Sequence, residues 1–236
     1  MTRRLLTAIA ATVFFASHAI AGDYADRQII GFSPNGNFFA FEEYGIQDGS
    51  GFPYSNIYLI STAKDSWVAG TPVRVRIDDE AATLRTARDL ALSQAQPLLL
   101  EHNIVAEGRH VLHNPITEIT DAHNAEFLLR AFSPLQTAGW MISIEEFPLP
   151  SECPDIGATI VGFDLWLGSP LAGPRQLNHD TGIPDSRGCP VGYGISDVIA
   201  FDRPNEAVVI ILLNLFTLGF EGPDRRFLAI ATTIGE

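Results

Sequence analysis

Two segments near opposite ends of the chain share one plan: a turn, an apolar strand, a glycine-bearing loop and a second strand. The first segment, 32–60, opens with a Pro- and Asn-containing turn at 33–37. The second, 201–230, opens with a similar turn at 202–205 and continues through the apolar run 207–213. Turn residues that separate short apolar runs are typical of antiparallel strands. The chain is therefore predicted to build its core from β-meanders.

Other parts of the sequence repeat this strand pattern. Segment 28–77 predicts four strands separated by turn clusters. Residues alternate between two faces over 140–147 and 159–167, which predicts a strand in each. Three closing strands are expected near 195–201, 207–216 and 226–233.

Segment 79–96 breaks the β pattern and predicts one inserted α-helix. Three acids at 78–80 suit the positive end of a helix dipole, and Pro97 is expected to end the helix. One face of the predicted helix is formed by Leu84, Ala87, Ala91 and Ala95.

These patterns predict a mainly β fold of propeller-like antiparallel β-meanders with one inserted helix. The alternative is a β-sandwich with an inserted helix. At about 40–45 residues a blade, the chain has room for four or five blades. Residues 22–236 are expected to form a single β-rich domain.

Residues 1–21 have the features of a secretory signal peptide. Arg3 and Arg4 form a positive region, 5–15 is apolar, and 19–21 is a small-x-small cleavage site. The apolar stretch is too short for a membrane anchor. The mature protein is therefore predicted to be periplasmic or secreted, with no membrane span after removal of the leader.

The chain is strongly acidic. Its formal net charge is −13, and loss of Arg3 and Arg4 with the leader makes it −15. Such a chain repels polyphosphates and anionic headgroups, so nucleic acid and membrane surfaces are not expected as partners. An unknown ligand or an envelope protein remains the expected partner.

The two cysteines, Cys153 and Cys189, both follow the leader. An even number in an exported chain predicts one disulfide between them. Because neither cysteine belongs to a C-x-x-C pair, a redox or zinc role is disfavoured.

The sequence lacks several common catalytic and nucleotide-binding motifs: it contains no G-x-S-x-G, H-E-x-x-H, P-loop or G-x-G-x-x-G motif. Neighbouring acids at 42–43 and 145–146 are interpreted as rim charges, because adjacent strand residues point to opposite faces. The same rule separates His110 from His113 unless the strand bends. No metal site and no cofactor are predicted.

The segment 175–193, most of it inside the predicted disulfide loop, is the best candidate site. Long ordered loops on β scaffolds often carry function. Its polar groups are able to bind an anion locally, although the chain as a whole is acidic. In the alternative interpretation, its Arg and Asp residues pair with each other and order the loop. The candidate ligand-binding residues are Arg175, His179, Asp180, Asp185, Arg187 and Tyr193.

Two resemblances add to these patterns. The string IGFSPNGNFFAF at 30–41 resembles the F-S-P-D-G repeat of Tol-system-type β-propellers, with Asn35 in place of the usual Asp. The leader, GFSPNGNFFAFEEYGIQDGSGFPYSNIYLI, SRGCPVGY and GFEGPDRRFLAI together resemble a bacterial family of predicted secreted proteins, domain of unknown function 2259. The first resemblance implies propeller blades. The second implies export and supplies no catalytic residues.

The leading hypothesis is a non-catalytic periplasmic binding or envelope-associated module. The alternative is a secreted hydrolase with its site in the 175–193 loop, using His179, Asp180 or Asp185 near Arg187. A second alternative is a cation-binding protein.

Overall fold

Thirteen strands and one α-helix follow one another along the described part of the chain. The structure is a computed structural model that describes residues 22–118, 121–130, 139–153, 157–169, 171, 173–219 and 222–235. The predicted leader, 1–21, lies outside the described residues. Within them, no helix is long and apolar enough to cross a membrane.

The strands form three antiparallel sheets. The first sheet contains β1 Asp26–Phe32, β2 Phe38–Ile46, β3 Pro53–Ser61, β4 Ser66–Trp67 and β5 Val73–Arg76. The second sheet contains β7 Asn124–Phe127, β8 Trp140–Pro148, β9 Val161–Ser169 and β10 Gly173–His179. The central sheet contains β6 Arg109–His113, β11 Pro190–Arg203, β12 Glu206–Leu218 and β13 Pro223–Gly235.

Hydrogen-bonded pairing sets the order of the strands within each sheet. The first sheet has the order β1-β2-β3, and both β4 and β5 pair with the far edge of β3. The second sheet has the order β10-β9-β8-β7, and the central sheet has the order β13-β12-β11-β6.

The central sheet lies between the other two, because its strands bury side chains on both faces. In β12, Val208, Ile210 and Leu212 pack against the first sheet. Val209 and Ile211 pack in the opposite direction, against the second sheet. Alternate strand residues point to opposite faces, so a continuous apolar run is what a doubly covered strand requires.

The helix α1, Leu84–Glu101, covers the outer face of the first sheet. Its fully buried residues are Ala87, Ala91 and Ala95, as the sequence pattern predicts. These small side chains allow the helix to approach Ile57 and Val75 closely. The described residues therefore form one helical layer and three β layers.

Both predicted ends of the helix are wrong. The helix begins after Thr83, whose Oγ1 accepts a hydrogen bond from the backbone N–H of Thr86. The acids at 78–80 belong to the preceding turn, where Asp79 binds the backbone N–H of Ala81. Pro97 lies inside the last turns, where it removes one backbone hydrogen bond without preventing Leu99 from packing against the sheet.

The two similar segments at 32–60 and 201–230 belong to different sheets and contact each other directly. The rings of Phe32 and Phe201 stack with their centroids 5.1 Å apart. The Nε–H of Arg203 donates to the backbone oxygen of Asn35 over 2.7 Å. The shared sequence plan thus corresponds to two antiparallel meanders that meet in the core.

The fold is mainly β, as predicted, but the propeller expectation is not supported. In a closed propeller every blade packs against two neighbours around an axis. Among the described residues, one core joins the first sheet to the central sheet and another joins the central sheet to the second. No core cluster of these residues joins the first sheet to the second. Layered sheets bury the same hydrophobic pattern without closing a ring.

Candidate functional site

The loop singled out by the sequence is shorter than the 175–193 segment. Strand β10 extends to His179 and β11 begins at Pro190, so only 180–189 connects them. A 3₁₀-helical turn, Asp185–Arg187, forms the middle of this loop. The predicted disulfide is confirmed: Cys153 and Cys189 are bonded, which ties the loop to the segment after β8.

Asp180, Arg187 and Tyr193 form one buried cluster at the base of the loop. An Oδ atom of Asp180 accepts hydrogen bonds from the Arg187 guanidinium over 2.5 Å and from the backbone N–H of Phe163 over 3.0 Å. The other Oδ atom accepts from the side-chain amide of Asn178. The Arg187 guanidinium also lies over the Phe163 ring, 4.9 Å from its centroid. The cluster holds Arg187 in one position.

Tyr193 supports this cluster from β11. Its hydroxyl lies 3.5 Å from the Arg187 guanidinium, and its ring packs 4.4 Å from the ring of Phe163. Burial raises the pKa of the Tyr193 hydroxyl, although the nearby Arg187 charge acts in the opposite direction. The tyrosine is therefore a neutral hydrogen-bonding partner at ordinary pH.

The other three candidate residues lie outside this buried cluster. Arg175 reaches across to β13 and donates to the hydroxyl of Thr232 over 2.7 Å. His179 contacts Asp164 on β9, with 2.6 Å between the imidazole Nδ1 and a carboxylate oxygen. Asp185 is exposed on the 3₁₀ turn. The segment therefore keeps Asp185 next to Arg187 on the loop but places Arg175 and His179 away from them.

A cleft of about 620 Å³ lies between the 3₁₀ turn, the first sheet and the β12–β13 hairpin. Its size is within the range of small-molecule sites in proteins. The polar and charged residues that line it are Glu43, Asn56, Arg74, Asp185, Ser186, Arg187, Thr217 and Arg226. The remaining lining residues are Tyr58, Trp67, Gly188, Cys189, Leu215, Leu218, Phe227 and Leu228.

Glu43 is a lining residue of the cleft and has only 1% of its surface exposed. One carboxylate oxygen accepts from the backbone N–H of Phe227 over 2.8 Å, and the other accepts from the Asn56 amide over 3.1 Å. Burial raises the pKa of the Glu43 carboxyl, while these hydrogen bonds and the Arg226 charge lower it by less. A buried carboxyl of this kind favours its neutral form more than a surface glutamate does.

Aromatic side chains form part of the cleft wall. The Tyr58 ring packs against Trp67, with the centroids 5.8 Å apart, and stacks on Phe41 at 4.7 Å. Burial raises the pKa of Tyr58, and the Glu43 charge acts in the same direction. Trp67 remains 41% exposed, so its ring is accessible to a bound molecule.

Three arginines line the cleft, and they differ in their partners. Arg187 is held by Asp180, and Arg226 is held by Asp23 over 2.6 Å. Arg74 lies over the Trp67 ring, 5.8 Å from its centroid. Within the described part of the chain, Arg74 forms no ion pair.

A second pocket of about 400 Å³ adjoins the cleft. The two share Asn56, Arg74 and Arg226 as lining residues. Arg74 therefore stands where the two cavities meet.

The histidines near the middle of the chain do not form one group. His102 packs against Phe38, and His123 contacts the backbone oxygen of Tyr193. His110 and His113 both approach Asp197, at 4.0 and 2.6 Å. The pairing of β6 with β11 is irregular next to these two histidines, and such an irregularity bends a strand. Both side chains can therefore approach the same carboxylate, although regular alternation would point them to opposite faces. The described residues contain no group of three or more His, Cys, Asp or Glu side chains placed to hold a metal ion.

Sequence reasoning missed most of the cleft. Glu42 and Glu43 point to opposite faces, as predicted, but both are buried, so their interpretation as rim charges was wrong. Glu42 is covered by α1, where it pairs with Arg88 over 2.7 Å. The available signal was the position of both acids within an apolar strand, flanked by Phe41 and Tyr44.

Comparison with known proteins supports the family resemblance but not the propeller resemblance. A family model described as "Predicted secreted protein (DUF2259)" matches residues 40–233, most of the chain. No curated protein and no solved structure matches the chain. The chain belongs to the DUF2259 family of predicted secreted proteins.

Proposed function

We propose that the protein is an exported, non-catalytic binding module whose ligand site is the cleft beside the disulfide loop. The observation that carries this proposal is the shape and construction of the cleft. An open cleft of about 620 Å³ is bordered by strands of two sheets and by a turn tied down at Cys189. Concave sites with a mostly apolar lining and a few converging polar groups are typical of small-molecule binding.

The candidate residues take different roles in this proposal. Asp185 and Arg187 face the ligand directly, because both line the cleft. Asp180 and Tyr193 hold Arg187 in place. Arg175 and His179 are not lining residues, so they would shape the scaffold on the second sheet.

The electrostatic arrangement favours binding over turnover. Both oxygens of Glu43 and both oxygens of Asp180 accept hydrogen bonds from the protein. A general base must have an oxygen within reach of a substrate proton. Carboxylates that are already occupied act better as fixed supports. Following export, we place this binding function in the periplasm, at the cell envelope.

A blocking substitution tests the proposal. Ser186 is exposed and lines the cleft, so Ser186→Trp is expected to fill it without disturbing the core. Thr181→Trp is the matched control, because Thr181 is exposed on the same loop but does not line the cleft. The assay is ligand-detected NMR with a panel of small carboxylates, sugars, amino acids and alcohols. Binding that disappears in Ser186→Trp and persists in Thr181→Trp supports the proposal. Binding that survives equally in both variants contradicts it.

One observation keeps the hydrolase alternative testable. The Nδ1 atom of His179 lies 2.6 Å from Asp164, the arrangement that orients an imidazole for proton transfer. A hydrolase at this position requires that turnover of ester or amide substrates be lost in His179→Ala. Turnover that is unchanged in this variant would remove His179 from any catalytic role.

A further inference from the structure

Among the described residues, one of the three arginines that line the cleft has no carboxylate partner. Arg187 and Arg226 each donate to a carboxylate, at 2.5 and 2.6 Å. Arg74 has no carboxylate partner among the described residues and is exposed. Its guanidinium is available to bind an anionic group from outside.

The geometry around Arg74 suits a planar anion. Arg74 projects from the short strand β5, and its guanidinium lies over the ring of Trp67. Stacking on an aromatic ring limits the orientations of the guanidinium and leaves its N–H groups at the edge free to donate. A carboxylate matches this fork with two parallel hydrogen bonds.

The acidic groups that face Arg74 limit the charge of the ligand. Glu43 and Asp185 line the same cleft, and Asp78 lines the adjoining pocket, where it pairs with Arg76. A dianion would be repelled by Asp185 and by any ionised Glu43. One unpaired arginine beside these acids is therefore suited to a monoanion.

Part of the cleft lining is apolar and suits a hydrocarbon body. Leu215, Leu218 and Leu228 line it together with the rings of Tyr58 and Trp67. Apolar surface that leaves water on binding contributes about 25 cal/mol per Å². A ligand that fills the cleft therefore gains from an apolar chain or ring attached to its anionic group.

We infer that the cleft binds a small amphipathic carboxylate, with the carboxylate on Arg74 and the apolar body against Tyr58, Trp67 and the three leucines. This inference rests on the proposed function, because it names the ligand class of the same site. It assigns to Arg74 the role of recognising the head group.

The test uses isothermal titration of the full mature protein with four probes: octanoate, octan-1-ol, acetate and octyl phosphate. We expect saturable binding of octanoate at millimolar concentration or below, and binding about tenfold weaker for the neutral alcohol and for acetate. Arg74→Ala should weaken octanoate about tenfold and leave octan-1-ol unchanged. Arg85→Ala is the matched control, since Arg85 is an exposed arginine on α1, away from the cleft. Thermal unfolding of each variant confirms that it is folded.

The outcomes separate the inference from the proposed function. Equal affinity for octanoate and octan-1-ol, or no loss in Arg74→Ala, overturns the carboxylate assignment. If Ser186→Trp still abolishes that binding, the cleft remains the ligand site. Octyl phosphate that binds more tightly than octanoate would replace carboxylate by phosphate and also overturn the assignment. Absence of octanoate binding also overturns the carboxylate assignment. In that case the NMR panel of small molecules still tests whether the cleft binds a ligand.

Discussion

Replacing Asp180 with alanine should strongly destabilise the protein. The substitution leaves the Arg187 guanidinium, whose side chain is only 10% exposed, without its carboxylate partner. It also removes the acceptor of the buried Phe163 N–H. Deleting one member of a buried ion pair costs about 3–5 kcal/mol. With a urea m-value of about 2 kcal/mol per M, the unfolding midpoint should fall by about 1.5–2.5 M.

A double-mutant cycle separates the ion pair from the lost packing. Arg187→Met keeps an apolar chain against the Phe163 and Tyr193 rings and leaves Asp180 bonded to Phe163 and Asn178. We expect the double variant Asp180→Ala/Arg187→Met to be more stable than the sum of the single losses predicts, by about 1–3 kcal/mol. The assay is urea unfolding of the oxidised protein, followed by tryptophan fluorescence.

The control is an exposed ion pair. Arg85 and Asp89 on α1 are 89% and 71% exposed, so Asp89→Ala should leave the urea midpoint unchanged. If Asp180→Ala moves the midpoint no further than Asp89→Ala, the reasoning about burial is refuted. Additive losses in the cycle would refute the coupling of Asp180 with Arg187.

Three further predictions concern the pH response, the disulfide and the contact between the two similar segments. Burial raises the pKa of Glu43, so its contribution to stability is present at low pH and is lost as the pH rises through the folded-state pKa. Between about pH 4.5 and pH 8, the free energy of unfolding of Glu43→Gln, measured by urea unfolding, should therefore fall less than that of the wild type. Glu145→Gln, at an exposed position, is the control, and equal pH profiles of the two variants would contradict this prediction. Cys153→Ser/Cys189→Ser opens a loop of 36 positions and should lower the free energy of unfolding by about 4 kcal/mol, whereas an unchanged midpoint would show that the loop needs no crosslink. Gly36→Ala should cost about 2 kcal/mol in the same assay, because Gly36 has a φ of 67° and an added Cβ would lie 2.7 Å from Phe201. Gly49→Ala is the control, because Gly49 has a similar φ of 77° but open space around an added Cβ. An equal loss of stability in Gly49→Ala would show that the backbone conformation, and not the contact with Phe201, causes the loss in Gly36→Ala.

The strands were predictable because the signal for a strand is local. The alternation of residues at 140–147 and the apolar run at 207–213 each describe burial within one segment. The stacking order of the sheets depends on which faces meet, and those contacts join residues far apart in sequence. Phe32 and Phe201 are similar in their sequence context, but nothing local shows whether such units form blades around an axis or layers in a stack.

The helix shows how local signals compete. Its buried face was correct because the alanine spacing has only one good helical solution. The predicted start of the helix was wrong because both the acids at 78–80 and Thr83 are residues that can cap a helix. Thr83 caps it, whereas the Asp79 carboxylate accepts a hydrogen bond within the preceding turn. Pro97 was given too much weight, since the last turn is held by the packing of Leu99.

The candidate site was predictable only in the loop. Asp185 and Arg187 stood out because a disulfide loop rich in charged residues is visible in the sequence. Arg74 and Trp67 gave no comparable signal, because each looks like an ordinary residue of a short exposed strand. They line the cleft only because the first sheet meets the loop there.

The construction of the cleft favours a site that exists before the ligand arrives. Phe227, on β13, lies in a strand whose ladder with β12 runs from Pro223 to Gly235. On the opposite wall, Arg187 is held by Asp180 and the turn is held by Cys189. Ordering a loop on binding reduces affinity, and a site that is already ordered avoids that loss. Reduction of the disulfide should therefore weaken ligand binding more than it disturbs the central sheet, because the ladder of β12 and β13 does not depend on the loop.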